Sequence, residues 1–79
     1  MHPELRNVTA QEFISALVAD GFIWTRNKGS HRVYYHKDGR RVVVSFHRPS
    51  ATFPPKTLKS MIDGARWIDD DLRRLGLIS

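Results

Sequence analysis

Apolar positions along the chain switch between helix-like and strand-like spacing, and the switches mark the elements. Thr9 followed by Glu12 forms a capping box, with Val8 and Phe13 placed for a hydrophobic staple across it. A helix should therefore begin near residue 10 and end at Gly21. Inside it Phe13, Ile14, Leu17 and Val18 form one apolar stripe, the mark of a helix that lies on a core. Residues 22–26, FIWTR, are aromatic and β-branched and predict a first strand.

Residues 31–37 and 40–47 flank Asp38-Gly39, the strongest short hairpin signal in the chain. A two-residue turn there sets Tyr35 opposite Val42, Val33 opposite Val44 and His31 opposite Phe46, which makes one face apolar. The other face collects Arg32, Tyr34, His36, Arg41, Val43, Ser45 and His47 and is mostly basic. RPSATFPP is a loop whose prolines prepare a helix start, and Leu58, Met61, Ile62 and Ala65 follow helical spacing, with Gly64 a weak point near the end. WIDDDLRRLGLIS reads as a short last helix, with Asp69 as its N-cap and Arg73 and Arg74 in its last turn. The expected fold class is α+β: α-β-β-β-α, a three-stranded antiparallel sheet with helices on one face and a short C-terminal helix. Residues 1–79 are expected to form a single domain, with 1–8 as an N-terminal tail and 68–79 as a C-terminal helical extension.

The absence of cysteine removes disulfides, thiolate metal sites and a cysteine nucleophile. No stretch has the length of a membrane span or the apolar run of a signal peptide, so a cytoplasmic location is the expectation. The net charge of +5 is unevenly placed: residues 26–59 hold nine basic residues against Asp38, while both flanking segments are slightly acidic. Such a zone suits a polyanion such as nucleic acid, or an acidic protein partner.

Several elements in order, LVADGF, Gly29-Ser30-His31, DGRRVVV, His47 and TLKSMI, resemble the HicA-type (YcfA-like) toxins over about residues 13–75. The resemblance implies a double-stranded-RNA-binding-domain-like fold, mRNA interferase activity, and His31 as the catalytic residue. It also implies a HicB-type antitoxin that binds the toxin and blocks that histidine, and no cofactor. The free form is expected to be a monomer. The chain departs from the family where proline is usual and it has Ser45, and where glycine is usual and it has Lys56.

Cutting RNA without a metal needs a base for the 2′-hydroxyl proton, positive charge beside the phosphate, and an acid for the leaving oxygen. Histidine suits the first and last tasks and Arg or Lys the second. His31 is thus general base or acid, His47 a second acid/base candidate, and Lys28, Gly29, Ser30, Arg32, Tyr34, Arg41 and Arg48 candidates for holding RNA or its phosphates. Tyr34 is the preferred stacking residue, whereas most of Trp24, Trp67, Phe22 and Phe53 should be core. The bland alternatives stay open: His31 covering Phe46 at the sheet edge, His47 bonded to backbone, His36 on the surface. The histidine spacings match no metal motif, and Ser30 lacks the orienting carboxylate of a nucleophile. A non-catalytic RNA-binding module is the rival reading of the whole chain.

Overall fold

The computed structural model describes residues 5 and 7–79, so His2 lies outside the described residues. Helix α1 (Ala10–Ala19) starts at the expected capping box, with Thr9 and Glu12 bonded to each other through side chain and backbone. Every early N–H of this helix has a partner. Thr9 Oγ1 accepts from Glu12, and the loop after the sheet supplies the Ala51 and Pro49 carbonyls to Ala10 and Gln11 at 2.8 and 3.0 Å. The RPSATFPP loop is therefore pinned across the start of α1.

Strands β1 (Ile23–Lys28), β2 (His31–Tyr35) and β3 (Arg41–Ser45) form an antiparallel sheet in that order. Helices α2 (Pro55–Ala65) and α3 (Asp69–Arg74) follow. The fold is α+β with the expected α-β-β-β-α order. Tyr34, Val42 and Val44 of the sheet share one core with Phe13 and Leu17 of α1 and Leu58 and Met61 of α2, so both long helices cover one sheet face. The predicted spacing of Leu58, Met61, Ile62 and Ala65 is the buried stripe of α2. Gly64 has a packing reason: a Cβ there would stand 3.0 Å from the Arg41 carbonyl oxygen, so its absence lets α2 approach β3 closely.

The hairpin register differs by one residue from the sequence expectation. Tyr34 pairs with Val42, Arg32 with Val44, and His31 with Ser45 rather than Phe46. The cause is the distal turn. His36 N–H bonds to the Arg40 carbonyl and Gly39 N–H to the His36 carbonyl, which leaves three residues in the loop, with Gly39 at φ 98°. Asp38 shapes it further by accepting from the Arg40 backbone N–H. Because side chains alternate with a period of two, this single extra loop residue exchanges the two faces of the strands relative to one another.

Tyr34 is thereby a core residue, 1% exposed, and not on the wet face. Arg32 shares the helix-side face with Tyr34, so it is Arg32 and not His31 that turns toward the helices, and His31 that lies on the open face. A second departure lies in β1. A bulge at Thr25, whose hydroxyl donates to the Val33 carbonyl at 3.0 Å, interrupts strict alternation. It turns Trp24 to the side of Tyr34 and Ile23 to the open face, and both remain exposed instead of joining the core. Phe22 and Trp67 are buried as expected, and Phe53 packs partly buried against the core.

The short third helix is capped by Ile68, not Asp69; its N–H donates to the Asp71 carboxylate at 3.0 Å, half of a capping box. Leu72 and Ile78 from this last segment, and Leu5 and Val8 from the first, complete the core. The segments expected as a tail and an extension thus contribute buried side chains.

Candidate active site

Gly29 and Ser30 form a two-residue turn between Lys28 and His31, which are directly paired. Gly29 has φ 63° while Ser30 is not among the residues with positive φ, the pattern of a type II′ turn with glycine in first place. The turn extends β1 two residues past the end expected from FIWTR. It also fixes what surrounds the histidine. His31 sits between Lys28 on one side and Ser45 on the other, all three on the open sheet face and exposed. Directly paired residues have Cβ atoms roughly 5 Å apart, so the Lys28 side chain is long enough to bring its ammonium to the imidazole. A Cβ on Gly29 would meet nothing within 4 Å, so the approach to this turn is open.

Along the same face the next row is Arg26, Val33 and Val43, and the third is Ile23, Tyr35 and Arg41. Arg26 was not singled out from sequence. Its signal was available, two residues before Lys28 on one strand, but the strand was ended too early to use it. Arg41 is on the correct face yet roughly 13 Å from His31 along the strands. His31, Lys28, Arg26, Arg41, His47 and Arg48 make no side-chain hydrogen bond or ion pair with any described residue. His31 therefore does not cover Phe46, which packs on the core side instead.

His47 lies two positions past Ser45, the last residue of β3, in the bend that leads into the RPSATFPP loop, so strand alternation assigns it to neither face. Ser45, where the family usually has proline, lies directly across from His31, so that departure adjoins the Gly-Ser-His triplet. Arg32 is held elsewhere: its guanidinium carbon stands 4.1 Å from the Trp24 ring centre and 4.9 Å from that of Phe46.

His36 is a structural residue rather than a surface one. Its Nε2 lies 2.9 Å from the Asp20 carbonyl oxygen, and its Nδ1 lies 3.1 Å from the Asp38 backbone nitrogen and 3.0 Å from the Asp38 carboxylate. Around it, at the far end of the hairpin, the charges close on one another. Asp20 Oδ2 accepts from Arg40 and from the Trp67 indole, both at 2.9 Å, and Oδ1 from Arg74 at 2.8 Å. Arg40 also donates to the Ala65 carbonyl and to Asp38. Burial pushes the Asp20 pKa up, but the bonds from Trp67, Arg74 and Arg40 and the charge of Arg40 outweigh it and hold the carboxyl below its ordinary value.

Among the described residues no three His, Cys, Asp or Glu side chains are grouped so as to hold a metal ion, and no helix is long and apolar enough to cross a membrane. No curated protein matches the chain at significant similarity. A family model, HicA toxin of bacterial toxin-antitoxin, matches residues 10–76, from the first residue of α1 to just past α3. With that match spanning nearly the whole chain and an exposed Gly-Ser-His turn at the head of an open basic sheet face, the chain belongs to the HicA family of bacterial toxins, which act opposite an antitoxin partner.

Proposed function

We propose that the chain is an endoribonuclease that cuts single-stranded mRNA without a metal, using His31, and that a HicB-like antitoxin silences it by covering the open sheet face. One observation carries the reading: His31, exposed and without a side-chain partner among the described residues, is paired directly with Lys28 across a glycine turn that leaves room for a phosphate.

The chemistry needs little machinery. His31 takes the 2′-hydroxyl proton, the 2′-oxygen attacks the adjacent phosphorus, and the 5′-oxygen leaves with a proton, giving a 2′,3′-cyclic phosphate. Lys28 offsets the charge that builds on the phosphate oxygens, and Gly29 and Ser30 let the backbone approach it. His47 is the candidate for the second proton transfer. Arg26, Arg41 and Arg48 draw the RNA backbone in over the open face and its rim. The same unneutralised cations suit an acidic antitoxin surface.

The test is incubation of purified protein with labelled mRNA in the presence of EDTA, beside a His31→Ala variant of unchanged melting temperature. Cleavage by the normal protein alone supports the reading. Equal cleavage by both removes His31 from the mechanism, and intact RNA with both removes the nuclease and leaves a non-catalytic RNA-binding module or a decayed toxin.

A further inference from the structure

We infer that Arg32, clamped between Trp24 and Phe46, forms a guanine-reading subsite for the nucleotide next to the one at His31. The inference rests on the chain being an RNA-binding protein; it does not require that RNA be cut.

Arg32 was expected to hold phosphate together with His31, yet the two side chains stand on opposite faces of β2. Its surroundings fit a base better. Two aromatic rings lie near the guanidinium, at 4.1 and 4.9 Å, and it makes no hydrogen bond or ion pair with any described residue. Stacking uses the faces of the cation and leaves its in-plane N–H edge, a rigid fork matched to two adjacent acceptors. The Trp24 ring is itself fixed, its indole N–H donating to Asn27 Oδ1 at 3.1 Å, although the residue is 49% exposed.

Beside this stack Arg32 and Phe46 line a shallow hollow of about 100 Å³ with Gln11, Ile14 and Pro49. Apolar walls of Ile14, Phe46 and Pro49 are poor surroundings for a phosphodiester anion but suit the flat edge of a base. Gln11 gives its amide N–H to Ser15 at 3.2 Å, which leaves its carbonyl oxygen to accept from a base amino or imino group. An Arg fork pairs with O6 and N7 of guanine, and adenine offers a donor where guanine has O6. The hollow is built, because the Gln11 and Ala10 N–H groups tie the Pro49–Ala51 loop to α1. His31 and Arg32 are the first two residues of β2, beside the open Gly29–Ser30 turn and one strand from the sheet edge. A single strand passing over that end presents one phosphate to His31 and the neighbouring base to Arg32.

Binding is measured by fluorescence anisotropy with the labelled heptamers UUUGUUU, UUUAUUU and UUUUUUU, on the full chain carrying His31→Ala so that the RNA stays intact. The expected result is roughly tenfold tighter binding of the guanine heptamer than of the adenine one. Adding Arg32→Lys, which keeps the charge and loses the fork, abolishes that preference without shifting the melting temperature. Trp24→Leu weakens it in the same direction. Equal affinity for the three heptamers, or a guanine preference that survives Arg32→Lys, overturns the subsite. Equal affinities together with cleavage by the normal protein would leave the nuclease reading standing alone. Guanine-selective binding without cleavage by the normal protein would leave the subsite standing alone. No binding to any heptamer would remove both.

Discussion

The two ends of the central hairpin treat charge in opposite ways. At the distal end, around Asp38 and Gly39, Asp20 gathers Arg40, Arg74 and Trp67, and His36 bridges α1 to the turn. At the Gly29–Ser30 end, Arg26, Lys28 and His31 have no partner among the described residues. One end spends its charges on tying three helices to the sheet, and the other keeps them available. The difference is sharpest at two neighbours in sequence: Arg40 is 14% exposed and multiply bonded, while Arg41 is exposed on the open face and has no side-chain partner among the described residues. A count of basic residues over this segment merges two populations with different tasks.

Breaking the free end should cost activity without stability. His31→Ala should lower RNA cleavage by about 10²- to 10⁴-fold, the usual contribution of a positioned acid or base, with an unchanged thermal melt. A melt shifted by more than a few degrees would instead give His31 a structural role. Breaking the tied end should do the reverse. Asp20→Ala leaves the Trp67 indole without its acceptor and strips Arg40 and Arg74 of their shared carboxylate, at a cost of about 3 kcal/mol. For a domain of this size that is a fall of roughly 12 °C or more in Tm. A Tm within a few degrees of normal would mean that the network adds little.

Acid should find the same difference. Asp20 has its pKa lowered in the folded chain, so its contribution is complete above the unfolded carboxyl value, about 3.9. That contribution is lost as pH falls through the lower folded value. Urea midpoints should therefore drop below about pH 4, and Asp20→Asn, less stable at neutral pH, should flatten that part of the profile. A variant as acid-sensitive as the normal protein would move the cause to other carboxylates. The smallest effect belongs to the two arginines. Arg41→Ala should reduce the salt dependence of RNA binding by about one unit of slope and leave stability within about 0.5 kcal/mol. Arg40→Ala should lower Tm and leave the slope unchanged. If the two variants behave alike, the division between the ends fails.

Element order and the capping chemistry were legible because they depend on local signals: the Thr9–Glu12 box, the Pro54-Pro55 start, and the spacing of Leu58, Met61, Ile62 and Ala65. The Gly-Ser-His triplet and the basic zone were legible for the same reason. The assignment of side chains to faces was not. Asp-Gly suits a two-residue turn as well as the last positions of a three-residue one, and Val42, Val43 and Val44 satisfy either register. The valines carry no preference, so the hydrophobic pattern could not correct the turn. Nothing in FIWTR marks the Thr25 bulge, and the partnership of His36 with Asp20 spans 16 residues, beyond any local pattern.

The distal loop therefore constrains how this family member can change. Surface loops ordinarily accept insertions and deletions with little consequence. Here the loss of one residue from Lys37, Asp38 or Gly39 would still leave His36 opposite Arg40, now across a two-residue turn, and would keep every pairing of the sheet. The damaging change is a slip in the chain of normal length, in which Asp38-Gly39 alone closes the turn, Tyr35 and Val33 meet Val42 and Val44, and Tyr34 is carried out of the core. The constraint therefore falls on the residues that hold the three-residue form, above all Asp38 through its bond to the Arg40 N–H, so in this lineage a shorter turn should be tolerated better than a substitution that favours the slip.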